Sequence, residues 1–67
     1  MSVRRFRVPV ESIGYVRMIV EGYDGLAVVS SEADHGILEW DVAPGREDEA
    51  DALAQALARE TGLHQVG

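Results

Sequence analysis

Few side chains in this sequence have the type and spacing that catalysis or metal binding requires. The chain has no cysteine, and its two histidines, His35 and His64, lack the i, i+4 spacing that places two imidazoles on one helix face around a metal. The acidic run Glu47-Asp48-Glu49 could offer oxygens to Mg²⁺ or Ca²⁺, but at the start of a helix it more simply complements the helix dipole. No serine lies beside a histidine and an acid in a recognisable triad motif. We therefore expect no catalytic residues, no metal site and no cofactor.

The charged residues with an informative spacing lie in two segments that alternate apolar and charged side chains. Residues 3–8 and residues 36–42 each place apolar side chains on one side and charges on the other, which is typical of strands with one face in water. The charges are Arg5, Arg7, Glu39 and Asp41. Trp40 shares its side with apolar neighbours, so we expect it to be buried. The four charged residues are candidate binding or interface residues.

Length and charge limit the classes of protein that remain. Sixty-seven residues form a single domain, residues 1–67, with a core near the lower limit of independent stability. The net charge is −6, and residues 18–67 hold eleven acids against two arginines. Such a chain repels nucleic acid and anionic membranes. With no long apolar run and no disulfide, we expect a cytoplasmic protein.

Two segments have the 3.6-residue apolar period of a helix, namely residues 13–23 and residues 46–61. Gly22 and Gly25 bracket Tyr23-Asp24 at the end of the first segment, and their spacing suits a helix end and a tight turn with positive φ. Residues 26–30 are short and β-branched, as in a strand, and residues 31–36 have turn chemistry. Residues 63–67 are left open between a fourth strand and a tail.

This order of elements predicts an α+β fold. Strand, helix, strand, strand, helix and short strand resemble the split βαβ, or ferredoxin-like, arrangement (β-α-β-β-α-β), an antiparallel sheet with two helices on one face. In that order the first strand lies beside the third, so Arg5 and Arg7 should lie near Glu39 and Asp41 on the face away from the helices.

The turn Glu21-Gly22-Tyr23-Asp24-Gly25-Leu26, followed by Ala27-Val28-Val29, resembles one of the domain-of-unknown-function families of very small bacterial proteins. The resemblance covers nearly the whole chain. It implies a compact α+β domain of unassigned activity and supplies no catalytic residues. On physical grounds the glycines fit the backbone of the turn and Tyr23 packs under the helix, while Tyr23 and Asp24 are also candidates for a binding corner.

Function is predicted only as a class. The leading hypothesis is a non-catalytic module that associates with itself or with a protein partner. The alternative is a regulatory domain similar to the ACT type, which binds a small molecule such as an amino acid at a dimer interface; against it, the loop at residues 9–12 has no glycine. A third hypothesis is an enzyme that uses acids on the open sheet face.

A small core without disulfides also favours a homodimer. Two contacts are available to it: the exposed edge of the strand at residues 26–30, and the charged face that carries Arg5, Arg7, Glu39 and Asp41.

Overall fold

The order of helices and strands is the predicted one. A computed structural model of the chain describes residues 2–32 and 35–66. Its elements are β1 (Ser2–Arg7), a 3-10 turn (Val10–Ser12) that leads into α1 (Ile13–Glu21), β2 (Ala27–Glu32), β3 (Ile37–Val42), α2 (Glu47–Thr61) and β4 (His64–Val66). The predicted turn at residues 31–36 is shorter, because β2 continues to Glu32; residues 33 and 34 of that turn lie outside the described part.

The four strands form one antiparallel sheet in the order β2-β3-β1-β4. β1 lies between β3 and β4, with Arg5 opposite Glu39 on one side and opposite Val66 on the other. The question left open for the end of the chain is therefore answered: a three-residue strand pairs with Arg5–Arg7, while residue 67 is not described. The α+β, ferredoxin-like arrangement is confirmed.

The core lies between one face of the sheet and both helices. Trp40 at the centre of β3 is fully buried, and its ring lies 4.5 Å from that of Phe6 in β1. Val16 and Val20 of α1 and Leu57 of α2 belong to the same buried cluster. Both helices therefore cover the same face, and the predicted burial of Trp40 is confirmed.

The corner between α1 and β2 differs from the prediction. α1 ends at Glu21, two residues earlier than its apolar period indicated, because the Tyr23 amide donates to the Val20 carbonyl and tightens the last turn. Gly22 keeps a helical backbone at φ −71°, whereas Gly25 has the expected positive φ of 71°. Only the second glycine makes the turn that leads into β2.

In the part of the chain that the structure describes, neither helix combines the length and the apolar composition needed to cross a bilayer.

Candidate functional site: the open face of the sheet

The sheet face away from the helices, called the open face here, is formed by alternate residues of the four strands. The strand register arranges these side chains in rows across the sheet. The first row is Val28, Asp41 and Val3, the second is Ser30, Glu39, Arg5 and Val66, and the third includes Ile37, Arg7 and His64. All four charged residues singled out from the sequence therefore share one face.

The second row holds an ion pair at the middle of the face. Arg5 Nε lies 3.2 Å from Glu39 Oε2, and the two side chains are 48% and 45% exposed. The predicted neighbourhood of these two residues is confirmed. Water screens so exposed a pair, which limits its contribution to about 0.2–1 kcal/mol.

The other two charges do not meet within one chain. Asp41 is opposite Val3, and Arg7 is opposite Ile37. The prediction that Arg7 lies near Asp41 is wrong, because four residues of register separate them along the strands, or roughly 13 Å. The register therefore places an anion at one end of the open face and a cation at the other.

Ile37 is a second departure from the alternation pattern. Its position on the open face predicts exposure to water, yet it is only 7% exposed. Its cross-strand partner is Arg7, whose Nη1 lies 3.5 Å from the His35 carbonyl oxygen. The open face thus holds a buried apolar residue beside its charges.

Asp41 is only partly exposed at its end of the open face. Its Oδ1 atom is shielded from solvent and has no hydrogen-bond partner among the described residues. Its two cross-strand neighbours are apolar, and both extend into solvent, Val3 at 62% and Val28 at 69% exposure. A shallow groove of about 260 Å³ runs beside it toward Pro44. Removing a carboxylate oxygen from water without a donor costs free energy.

Tyr23 and Asp24 lie in the corner between α1 and β2, and they make no hydrogen bond or ion pair with the four charges within residues 2–32 and 35–66. Tyr23 is 43% exposed, so its predicted packing under α1 is wrong. The turn closes from the Leu26 amide to the Tyr23 carbonyl at 3.0 Å, and Leu26 fills the core position instead. Asp24 contributes its backbone: its carbonyl accepts a hydrogen bond from Arg46 Nη1 at 2.6 Å.

The groups with shifted pKa lie in the helices and the loop before α2. A hydrogen bond from Arg46 lowers the pKa of Glu49, and backbone amides at the start of α2 lower the pKa of Glu47. The pKa of Tyr15 is raised because its hydroxyl donates to Glu60 at 2.8 Å. Each shift has a local structural cause. Between residues 2–32 and 35–66, no three histidine or acidic side chains are grouped to hold a metal ion.

The sequence reasoning missed an ion pair that joins the sheet to α2. Arg4 on the helix side of β1 bonds to Asp51 of α2 and holds strand and helix together. The sequence did indicate that Arg4 faces the helices, because it is two residues before the buried Phe6 in the same strand. Only the docking of α2 shows which acid lies above it.

The family of the chain follows from comparison with known proteins. Searches of curated proteins and of solved structures gave no match. A family model described as a domain of unknown function, DUF4911, matches residues 6–61. That range runs from β1 to the last residue of α2 and includes both helices, and it confirms the predicted resemblance to a family of domains of unknown function. The chain belongs to the DUF4911 family of domains of unknown function.

Proposed function

We propose that this protein is a non-catalytic module that associates with a second copy of itself through the open face. The observation that carries the proposal is the shielded Oδ1 of Asp41, which has no partner in the described chain. A carboxylate oxygen in such a position is stabilised when a cationic donor reaches it. A second copy that brings an arginine to Asp41 would supply that donor.

The chain itself carries a suitable arginine on the same face. Arg7 is exposed and lies at the end of the open face opposite to Asp41. Consider a two-fold axis that lies in the interface and crosses the strands near Arg5 and Glu39. It brings the Asp41 end of one copy over the Arg7 end of the other, and symmetry gives two such contacts.

The apolar neighbours of Asp41 support the same arrangement. Val3 and Val28 flank the carboxylate and are the most exposed apolar side chains on this face. Their burial in a dimer would contribute roughly 25 cal/mol per Å² removed from water. It would also exclude water from the contact between Arg7 and Asp41, which strengthens that contact.

The size of the face limits the affinity. The two central strands have six residues each, so four strands about 4.8 Å apart give a projected area on the order of 400 Å². A standard interface buries about 800 Å² per partner. We therefore expect a weak dimer, with a dissociation constant of roughly micromolar size.

The non-catalytic part of the proposal is supported by where the perturbed groups lie. Catalytic acids and bases with shifted pKa usually gather in a cleft. Here hydrogen bonds at the start of α2 shift the pKa values of Glu47, Glu49 and Arg46. The pKa of Tyr15 is shifted by a hydrogen bond to Glu60 that joins the two helices. Each of these causes is a structural contact.

Charge reversal tests the interface with matched variants. In sedimentation equilibrium over a wide concentration range, we expect the wild type to dimerise, whereas Arg7→Asp alone and Asp41→Arg alone stay monomeric because like charges face each other. An equimolar mixture of the two variants should form a heterodimer, since it holds one native and one reversed pair. Arg59→Asp and Asp48→Arg make the same charge changes at exposed positions of α2 and should leave the dimer intact.

Two results would overturn the proposal. A wild-type chain that remains a 7.3 kDa monomer at high micromolar concentration would rule out self-association. Dimers that persist in both single variants would place the interface elsewhere, with the edge of β2 as the remaining contact.

A further inference from the structure

A cleft of about 400 Å³ lies on the helix side of the sheet, between α2 and the edge formed by β1 and β4. Its apolar lining includes Phe6 and Leu63, which are 3% and 2% exposed. The cleft exists because α2 presents Ala54 and Ala58 here, and their small side chains leave space above the sheet. This volume is within the range of small-molecule sites, which are mostly apolar with a few polar groups.

The polar groups of the cleft are a cation and an anion in direct contact. Arg4 Nη1 donates to Asp51 Oδ1, and their side chains are 20% and 47% exposed. The contact uses one guanidinium nitrogen and one carboxylate oxygen. An arginine carries five N–H donors and a carboxylate has two oxygens, so both partners can bind a further group without separating. Gln55 and Gln65 add amide groups to the lining.

We propose that this cleft binds a zwitterionic α-amino acid with an apolar side chain. The carboxylate and the ammonium of such a ligand are attached to one carbon, so one ligand can reach both members of an ion pair whose groups are in direct contact. The ligand carboxylate would accept from Arg4 while its ammonium donates to Asp51. Its side chain would lie on Phe6, Ala54 and Leu63. A simple carboxylic acid or a simple amine satisfies only one of the two charged residues.

This site is separate from the proposed dimer interface. The cleft is on the helix side of the sheet, and Arg4 and Arg5 are adjacent residues that point to opposite faces. It is formed within one protomer. Ligand binding therefore tests this inference without depending on self-association.

The experiment is a titration of the ¹⁵N-labelled protein with L-leucine, followed by NMR shifts of amides in β1, α2 and β4. We expect saturable shifts at residues of the cleft at millimolar ligand or below. 4-Methylpentanoate lacks the ammonium and 3-methylbutylamine lacks the carboxylate, so each should bind about tenfold or more weakly, because each loses a charge-assisted hydrogen bond. Glycine, which lacks the apolar side chain, should also bind more weakly.

Variants then test the two charged residues. Arg4→Met and Asp51→Asn should each weaken leucine binding, whereas Arg59→Met and Asp48→Asn, also charge-removing but outside the cleft, should not. If Arg4→Met fails to fold, the two leucine analogues on the wild-type protein still decide the question. Asp41→Arg should keep leucine binding even where it abolishes the dimer.

Three outcomes would overturn the inference. These are an absence of saturable shifts, equal binding of leucine and its two analogues, and saturable shifts confined to the open face.

Discussion

The two faces of the sheet are built from alternate residues of the same strands, yet they have opposite properties. Leu38, Trp40 and Val42 face the helices and are fully buried. On the open face, Val3 and Val28 are more than 60% exposed. Period-two alternation assigns every residue of a strand to one face. The helix side therefore holds most of the core, whereas the open face, apart from the buried Ile37, holds side chains that are partly or fully exposed to water.

The two arginines at the centre of β1 show the same difference at adjacent positions. Arg4 points to the helix side, bonds to Asp51 and is 20% exposed, whereas Arg5 points to the open face, pairs with Glu39 and is 48% exposed. Shielding from water strengthens the attraction between charges. An arginine–carboxylate ion pair thus joins strand and helix on one face, whereas on the other face a similar pair contributes little to stability.

The largest expected effect is on the helix side. Trp40→Ala removes a fully buried ring that contacts Phe6, and we expect a loss of about 3–5 kcal/mol, enough to unfold so small a domain. Val28→Ala on the open face is the matched control, with an expected change of about 0.5 kcal/mol or less. Urea unfolding followed by circular dichroism measures both. A cooperative transition of near wild-type stability for Trp40→Ala would contradict the contrast between the faces.

The next effect concerns Gly36, which immediately precedes β3. Gly36 has φ 65°, its carbonyl accepts from the Val8 amide at 2.7 Å, and an added Cβ would lie 2.8 Å from the Val8 carbonyl oxygen. We expect Gly36→Ala to cost roughly 2 kcal/mol or more, from the strained φ and from the backbone clash. Gly45→Ala separates the two causes, because Gly45 has φ 83° with nothing within 4 Å of an added Cβ. If thermal unfolding shows equal losses of stability in the two variants, the structure relieves the clash at residue 36 without cost.

The sequence predicts the faces better than it predicts the contacts. Alternation and helical period identify the strands, the helices and the buried Trp40, since each is a local pattern. The partnership of Arg4 with Asp51 joins residues 47 positions apart and depends on how α2 docks. Leu26, and not Tyr23, fills the core position because of where the last turn of α1 tightens. The apolar period of the helix does not encode that position. The open face was predicted as a set of charges, but the isolation of Asp41 follows only from the strand register.

A smaller effect is expected from the ion pair at the middle of the open face. A double-mutant cycle with Arg5→Gln and Glu39→Gln should give a coupling free energy of about 0.2–1 kcal/mol, because both side chains are nearly half exposed. The same cycle on Arg4 and Asp51 is the comparison, and we expect its coupling to be larger. Added salt should reduce the first coupling more than the second. Equal couplings with equal salt dependence would remove the distinction between the two arginines.

The smallest effect is a dependence on pH at the start of α2. Arg46 bonds to Glu49 with Nε–Oε1 and Nη2–Oε2 distances of 2.9 and 3.0 Å, and this contact lowers the pKa of Glu49 below its ordinary 4.5. A lowered folded-state pKa gives stability that is present above pH 4.5 and is lost as the pH falls through the folded value. Glu49→Gln should therefore be slightly less stable than the wild type at neutral pH, and the difference should vanish in acid. Thermal unfolding from neutral pH down to about pH 3 measures it, and in an Arg46→Gln background the difference at neutral pH should be smaller, because only the helix dipole then favours the charged form of Glu49. A deficit of the same size throughout that range would assign the effect to helix propensity, since the charge of Glu49 would then play no part in it.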